Sequence, residues 1–195
     1  MRNLLLYIAT SLDGYIARED GSIDWLESAD TGEEDYGYQE FFDSVDTTLM
    51  GNRTFRQILG FPVEFPYPGK RNIVFTRSEP VPSEYAEVTN RDPVSMVREL
   101  KGEDGGDIWL VGGSELNSLL LEADLIDRMI LTVLPRPLGS GIPLFRRRAP
   151  DLPWQLTDAD AYDSGFLQLT YERRPFTPAG EGGPRSREPQ EDGDR

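Results

Sequence analysis

The chain has 195 residues, 37% of them apolar and 10% aromatic, enough for one domain with a real core and too few for two comfortable ones. It contains neither cysteine nor histidine, which excludes disulfides, thiolate zinc sites, imidazole general bases and any Ser-His-Asp triad. A formal charge of −15 repels polyanions from the surface as a whole, so nucleic-acid binding is not expected, although a local phosphate site is still permitted.

The start, MRNLLLYIATSLDGYI, has a short apolar patch followed by polar and turn residues, unlike a signal peptide. No apolar run reaches the about 18 residues a bilayer span needs. A soluble, cytoplasmic protein with no membrane partner is the expectation. Lys70 and Lys101 are the only lysines; the arginine bias favours planar, bidentate anion contacts, and a high-salt or GC-rich source would explain it equally well.

In chain order, NLLLYIAT reads as a buried first strand, and TTLMG, NIVFT, DIWLVG and RMILTVLP as further strands flanked by turn signals. YQEFFDSV, RTFRQIL, PVSMVREL and ELNSLLLEA carry apolar residues at helical spacing, and Leu116, Leu119, Leu120 and Ala123 should form the buried stripe of the last. Alternating strands and helices predict an α/β sheet with helices on both faces. WQLTDADAYDSGFLQLTYERR reads as two strands around an Asp-Ser-Gly turn, an antiparallel hairpin that makes the sheet mixed. Residues 1–176 are thus one domain. Residues 177–195, rich in Gly, Pro and charge, read as a disordered tail.

Three strand ends are suited to anions. Gly112 and Gly113 end a buried strand, Ser114 is a good N-cap, and a helix follows at once. At LMGNRTF a strand passes through Gly51 into a helix opened by Asn52, Arg53 and Thr54; after NIVF, Thr76, Arg77 and Ser78 place two hydroxyls and a guanidinium. Each has a plain alternative: a turning glycine, a solvated arginine. Taken together they suit a ligand with several phosphates.

LLLYIATSLDGYIA, MGNRTF, RNIVFTRS, IWLVGGSELNSLLLEADLIDRMILTVLPRPLGSGIPLF and the closing hairpin resemble the dihydrofolate reductase superfamily, and more closely its branch related to the reductase domain of bifunctional riboflavin biosynthesis enzymes. The resemblance implies a mixed, mostly parallel sheet of about eight strands, an NADPH site across the strand ends, a homodimer and a small-molecule substrate. It carries cofactor contacts onto Gly51, Asn52, Arg53 and Thr54, and the 2′-phosphate contact onto Thr76, Arg77 and Ser78, favouring NADPH over NADH. Val111 precedes the pair Gly112 and Gly113, which the family joins by a cis peptide; Ser114, Glu115 and Leu116 follow as helix-start contacts. Ala9 and Ile16 match positions that cradle the nicotinamide. The implied activity is hydride transfer to a C=N or C=O bond of a pyrimidine- or pterin-like heterocycle, similar to 5-amino-6-(5-phosphoribosylamino)uracil reductase. A non-catalytic nucleotide-binding dimer and a true dihydrofolate reductase are the alternatives, the latter weakened by an incomplete pterin-pocket pattern.

With no histidine, a carboxylate or a carboxylate-ordered water must supply the proton. Asp24, followed by Trp25 and Leu26, stands in an apolar setting expected to raise its pKa, and Asp13 lies in the SLDG segment. Both are candidate catalytic and substrate-binding residues; the alternatives are an exposed helix cap and an Asp-Gly turn. Trp25 and Gly139, the latter in the loop LPRPLGSGIPLF, are further substrate-side candidates. The run 146–148, RRR, reads as solvated charge, with a phosphate contact as the alternative. No metal is expected.

Overall fold

The first apolar run becomes β1 (Leu4–Ser11), whose side chains alternate between two cores: Leu4 and Leu6 are buried on one face, Leu5 on the other. In the computed structural model, which describes residues 1–27, 34–146 and 150–173, the chain continues through β2 (Tyr15–Ala17), α1 (Asp24–Glu27), α2 (Tyr38–Ser44), β3 (Val45–Gly51) and α3 (Asn52–Ile58). Next come β4 (Arg71–Phe75), β5 (Glu87–Thr89), α4 (Pro93–Gly102), β6 (Asp107–Gly112), α5 (Ser114–Glu122) and β7 (Arg128–Leu134). The short β8 (Ile142–Pro143) and the pair β9 (Trp154–Ala161) and β10 (Leu167–Arg173) complete the described elements.

Eight strands form one sheet in the order β5-β4-β3-β6-β1-β7-β10-β9. The first six are parallel, β10 runs antiparallel to β7, and β9 folds back on β10 through the Asp163–Ser164–Gly165 turn. This is the mixed sheet the closing hairpin predicts, mostly parallel and eight-stranded as the resemblance implies. β2 and β8 pair separately as a small antiparallel ribbon; both are too short to register as strands in the sequence.

Helices cover both faces. On one, Met96, Val97 and Leu100 of α4 and Leu116, Leu120 and Leu121 of α5 pack with Leu4, Leu6, Leu49, Ile73, Ile108 and Leu110. On the other, Phe41 of α2 and Phe55 and Ile58 of α3 pack with Leu5, Met50, Val74 and Trp109. Each fully buried side chain of this size contributes about 1.5–3 kcal/mol. Trp25, Tyr36, Leu134 and Phe166 form a third cluster.

Two expectations for α5 need correction. Gly113, not Ser114, is the cap, and Ser114 is the first helical residue. Leu121 is buried where Leu119 was expected; Leu119 is 37% exposed and turns to the open edge of the sheet. The helix is rolled because Asn117 and Ser118 also bury: the Asn117 Nδ2 donates to the Leu144 carbonyl at 3.3 Å and the Ser118 hydroxyl to the Ser114 carbonyl at 2.7 Å. The expected tail, Arg147 and Arg148 lie outside the described residues.

Candidate functional site

Parallel neighbours β4, β3, β6 and β1 end on the same edge of the sheet, where ligands of open α/β sheets bind. A cleft of about 1310 Å³ opens there, larger than the ~300–1,000 Å³ common for small-molecule pockets. Beyond β3, Gly51 caps α3 and brings Asn52, Arg53 and Thr54 to the wall. Beyond β4 come Thr76, Arg77 and Ser78, a tight turn in which the Ser78 N–H donates to the Thr76 hydroxyl at 3.2 Å. Beyond β6 come Gly113 and Ser114, Glu115 and Leu116. Ala9, Val111 and Ile16 line the same space. Among the expected cofactor positions, Gly112 alone stands behind the wall.

The glycine pair is joined by a cis peptide. Gly112 has φ +120°, a region that favours glycine, and a Cβ there would lie 3.5 Å from the Asn117 Oδ1. A Cβ on Gly113 would lie 3.4 Å from the Thr54 Oγ1 and 4.0 Å from the Ile16 Cδ1, so its absence keeps open the gap between α3 and β2. At the start of α5 the Ser114 hydroxyl is buried, 6% exposed as a residue, and has no hydrogen-bond partner among the described residues. A buried hydroxyl normally finds a partner, and an anion at a helix N-terminus would supply one.

The cleft is locally cationic in an acidic chain: Arg53, Arg77, Arg91 and Arg146 line it, against Asp92 and Glu115. Glu115 pairs with both Arg77 and Arg146 across the outer lip. Arg91 is held by Glu99 at 2.6 Å, and Asp92 caps α4 by accepting the Ser95 N–H at 2.8 Å. The Arg53 guanidinium reaches back to the Asp20 carbonyl at 3.1 Å.

The proposed substrate side is arranged differently from the expectation. Asp24 is exposed and forms a two-point pair with Arg18, Nε to Oδ1 at 2.6 Å and Nη2 to Oδ2 at 2.9 Å. That pairing holds its carboxyl below the usual range rather than above it. The reason lies in α1: Trp25 is fully buried in the third cluster, so the adjacent Asp24 is rotated out to solvent. Asp13 is a tether, accepting from the Ser11 hydroxyl at 2.6 Å and the N–H groups of Leu138 at 3.0 Å and Gly139 at 2.7 Å. These donors hold its carboxyl down at about 2. Asp13, Asp24, Trp25 and Gly139 are all absent from the cleft lining. The loop carrying Gly139 instead delivers Gly141, Ile142 and Pro143 to the wall, beside Ala17.

Sequence reasoning did not find the inner wall, made of Tyr7, Phe61, Tyr67 and Trp109. Tyr7 and Trp109 lie within buried strands, where aromatic residues read as ordinary core. Burial pushes the Tyr7 phenol up to about 12, and the Tyr67 phenol also upward. No cluster able to hold a metal ion occurs among the described residues, and no helix among them is long and apolar enough to cross a membrane.

Against known proteins, the chain is 40% identical over 173 residues, 88% of its length and 98% of the relative, to the uncharacterized protein YwjB of Bacillus subtilis (strain 168). It is 28% identical over 181 residues to YyaP of the same organism, covering 87% and 94%. Its structure is similar to the crystal structure of a putative riboflavin biosynthesis protein from Shewanella sp. PV-4, with TM-score 0.80 and 30% identity over 89% of this chain and 99% of that one. It also shares a fold with a diaminohydroxyphosphoribosylaminopyrimidine deaminase/5-amino-6-(5-phosphoribosylamino)uracil reductase from Thermotoga maritima, with TM-score 0.68 and 20% identity over 89% of this chain and 57% of that one. The RibD C-terminal domain matches residues 2–168. With its dihydrofolate reductase-like sheet and strand-end cleft, the chain belongs to the RibD C-terminal domain family.

Proposed function

We propose that the chain is an NADPH-dependent reductase that delivers a hydride to a C=N or C=O bond of a small heterocycle, similar to the uracil reductase activity in the name of the Thermotoga protein. The observation that carries this reading is the convergence of three separate strand ends, at Gly51–Thr54, Thr76–Ser78 and Gly113–Leu116, on one cationic cleft. The residues fit the cofactor. The unpartnered Ser114 hydroxyl and the free N–H groups of α5 suit a diphosphate, the absent Gly113 Cβ leaves room beside Thr54 and Ile16, and Arg77 with Thr76 and Ser78 suits a phosphate monoester. NADPH, when bound, would supply the hydride; this chain's residues would orient it, and with Asp13 and Asp24 outside the lining the proton for the other atom of the reduced bond would come from water in the cleft.

The test is NADPH binding followed through nicotinamide fluorescence, then loss of the reduced-nicotinamide absorbance against a panel of pyrimidine, pterin and aldose-like substrates. Saturable NADPH binding with turnover on a panel member supports the reading; no NADPH binding at millimolar concentration defeats it. That neither Asp13 nor Asp24 lines the cleft favours a second reading, a nucleotide-binding protein without turnover, which predicts NADPH binding with no substrate on any panel. In either case we take the protein to be cytoplasmic and a homodimer. The exposed Leu156 and Leu167 of the edge hairpin support the latter, and sedimentation velocity decides it.

A further inference from the structure

The inner end of the cleft carries a polar group that neither the reductase reading nor the carboxylate candidates use. Tyr7 lies on β1 two residues before Ala9, so its side chain leaves the same face of the sheet, and it is half-buried in the cleft wall. Its ring is fixed: it stacks on Phe41 with centroids 4.2 Å apart and an interplanar angle of 20°, and meets Trp109 edge-on at 6.2 Å. The Trp109 Nε1 donates to the Tyr7 carbonyl at 3.1 Å, locking ring and strand together.

The hydroxyl is held more loosely. It points to the Tyr36 carbonyl at 3.4 Å, longer than a good hydrogen bond. The Gln168 Nε2 donates to the same Tyr36 carbonyl at 3.1 Å and to the Thr132 hydroxyl at 3.2 Å. Ala9, Thr132 and Gln168 sit in one row across β1, β7 and β10. Gln168 thus shares the Tyr36 carbonyl with the phenol, whose own link to it is weak enough to be exchanged for a better acceptor.

The charged groups of the cleft lie elsewhere: Arg53 opens α3, Arg77 and Glu115 follow β4 and β6, Arg91 and Asp92 precede α4, and Arg146 follows β8. Around Tyr7 the lining is Ile58, Phe61, Tyr67, Trp109 and Val111. Burial first, and the nearby Asp35 carboxylate with it, hold the Tyr7 phenol protonated and so able to donate. Resting on the reductase reading for the position of the substrate, we propose that Tyr7 is the substrate-recognising residue: its hydroxyl hydrogen-bonds a carbonyl oxygen or ring nitrogen of a flat heterocycle lying against the aromatic wall.

The test uses lumazine, a neutral fluorescent bicycle with two carbonyls, titrated into wild-type protein and Tyr7→Phe, each with and without saturating NADP+. Tyr7→Phe keeps the ring stack and removes only the donor. It is expected to weaken lumazine about tenfold, the loss of one hydrogen bond from a buried site, with NADPH affinity unchanged. Failure of the wild-type protein to bind lumazine, or equal affinity in wild type and Tyr7→Phe, overturns the proposal. If NADPH fails to bind while lumazine binds in a Tyr7-dependent way, the reductase reading falls and the role of Tyr7 stands.

Discussion

Replacing Gly113 by alanine separates the role of the glycine pair in the fold from its role in binding. The backbone there, φ −91° and ψ −161°, is open to any residue. The added methyl would meet nothing nearer than the Thr54 Oγ1 at 3.4 Å and the Ile16 Cδ1 at 4.0 Å, both ordinary contacts. Reduced freedom of the unfolded chain contributes about 0.4–1 kcal/mol in favour of alanine, so the thermal midpoint should stay within a few degrees of wild type, roughly 2–4 °C per kcal/mol at this size. The same methyl fills the gap between α3 and β2 that the cofactor is proposed to enter. One methyl too many in a contacting pocket costs about 1–3 kcal/mol, a loss of roughly 10–200-fold in NADPH affinity. The assay is an NADPH fluorescence titration on protein whose thermal midpoint has been checked. A variant with the wild-type midpoint and undiminished NADPH affinity would refute the reasoning, because the nucleotide could not then be passing beside Gly113.

Arg77→Ala removes a side chain that is 85% exposed and paired with Glu115, so stability should change by no more than about 0.5 kcal/mol. NADPH affinity should fall by roughly one to two orders of magnitude, the worth of a charge-assisted hydrogen bond, with NADH affinity unchanged; equal losses for both nucleotides in parallel titrations would contradict the 2′-phosphate assignment. Trp25→Ala, at a fully buried site, should cost about 3–5 kcal/mol in a denaturant titration while NADPH binding to the folded fraction persists; loss of binding without loss of stability would restore Trp25 to the site. Asp24→Asn removes the charge from exposed contacts with Arg18 and Ser22 and should leave turnover on any panel substrate unchanged; abolished turnover in the folded variant would contradict its placement outside the cleft. The Asp13 carboxyl is held at about 2, against an ordinary value of 3.8, by the Ser11 hydroxyl and the N–H groups of Leu138 and Gly139. Its stabilising effect is complete above its ordinary value and fades as pH falls through about 2. Asp13→Asn should remove that acid-sensitive step from a circular dichroism titration, and an identical step in both proteins would argue against the tether.

The sheet was legible because its strands are short, apolar and separated by helical patterns of ordinary amphipathicity, as the paired runs around Leu4–Ser11, Val45–Gly51 and Asp107–Gly112 show. Turn chemistry located the strand ends, and Gly51, Thr76 and Gly113 meet in space because parallel strands end on one edge. What sequence could not supply was direction. Asp24 and Trp25 are neighbours, and only the packed helix decides that the ring goes inward and the carboxylate outward. Asp13 stands in a motif suggestive of chemistry, yet its partners, Leu138 and Gly139, are more than a hundred residues away in the chain. Tyr7 has no local signature at all. A tyrosine in a buried strand reads as core until Phe41 and Trp109, from two other elements, fix its ring at a cavity wall.

A crystal structure of the NADPH complex tests the account most directly. It should show the diphosphate at the start of α5, accepting from the Ser114 hydroxyl, the 2′-phosphate at Thr76, Arg77 and Ser78, and the nicotinamide beside Ala9, Ile16 and Gly113. A nucleotide bound elsewhere, or no nucleotide in crystals grown at saturating NADPH, would contradict it.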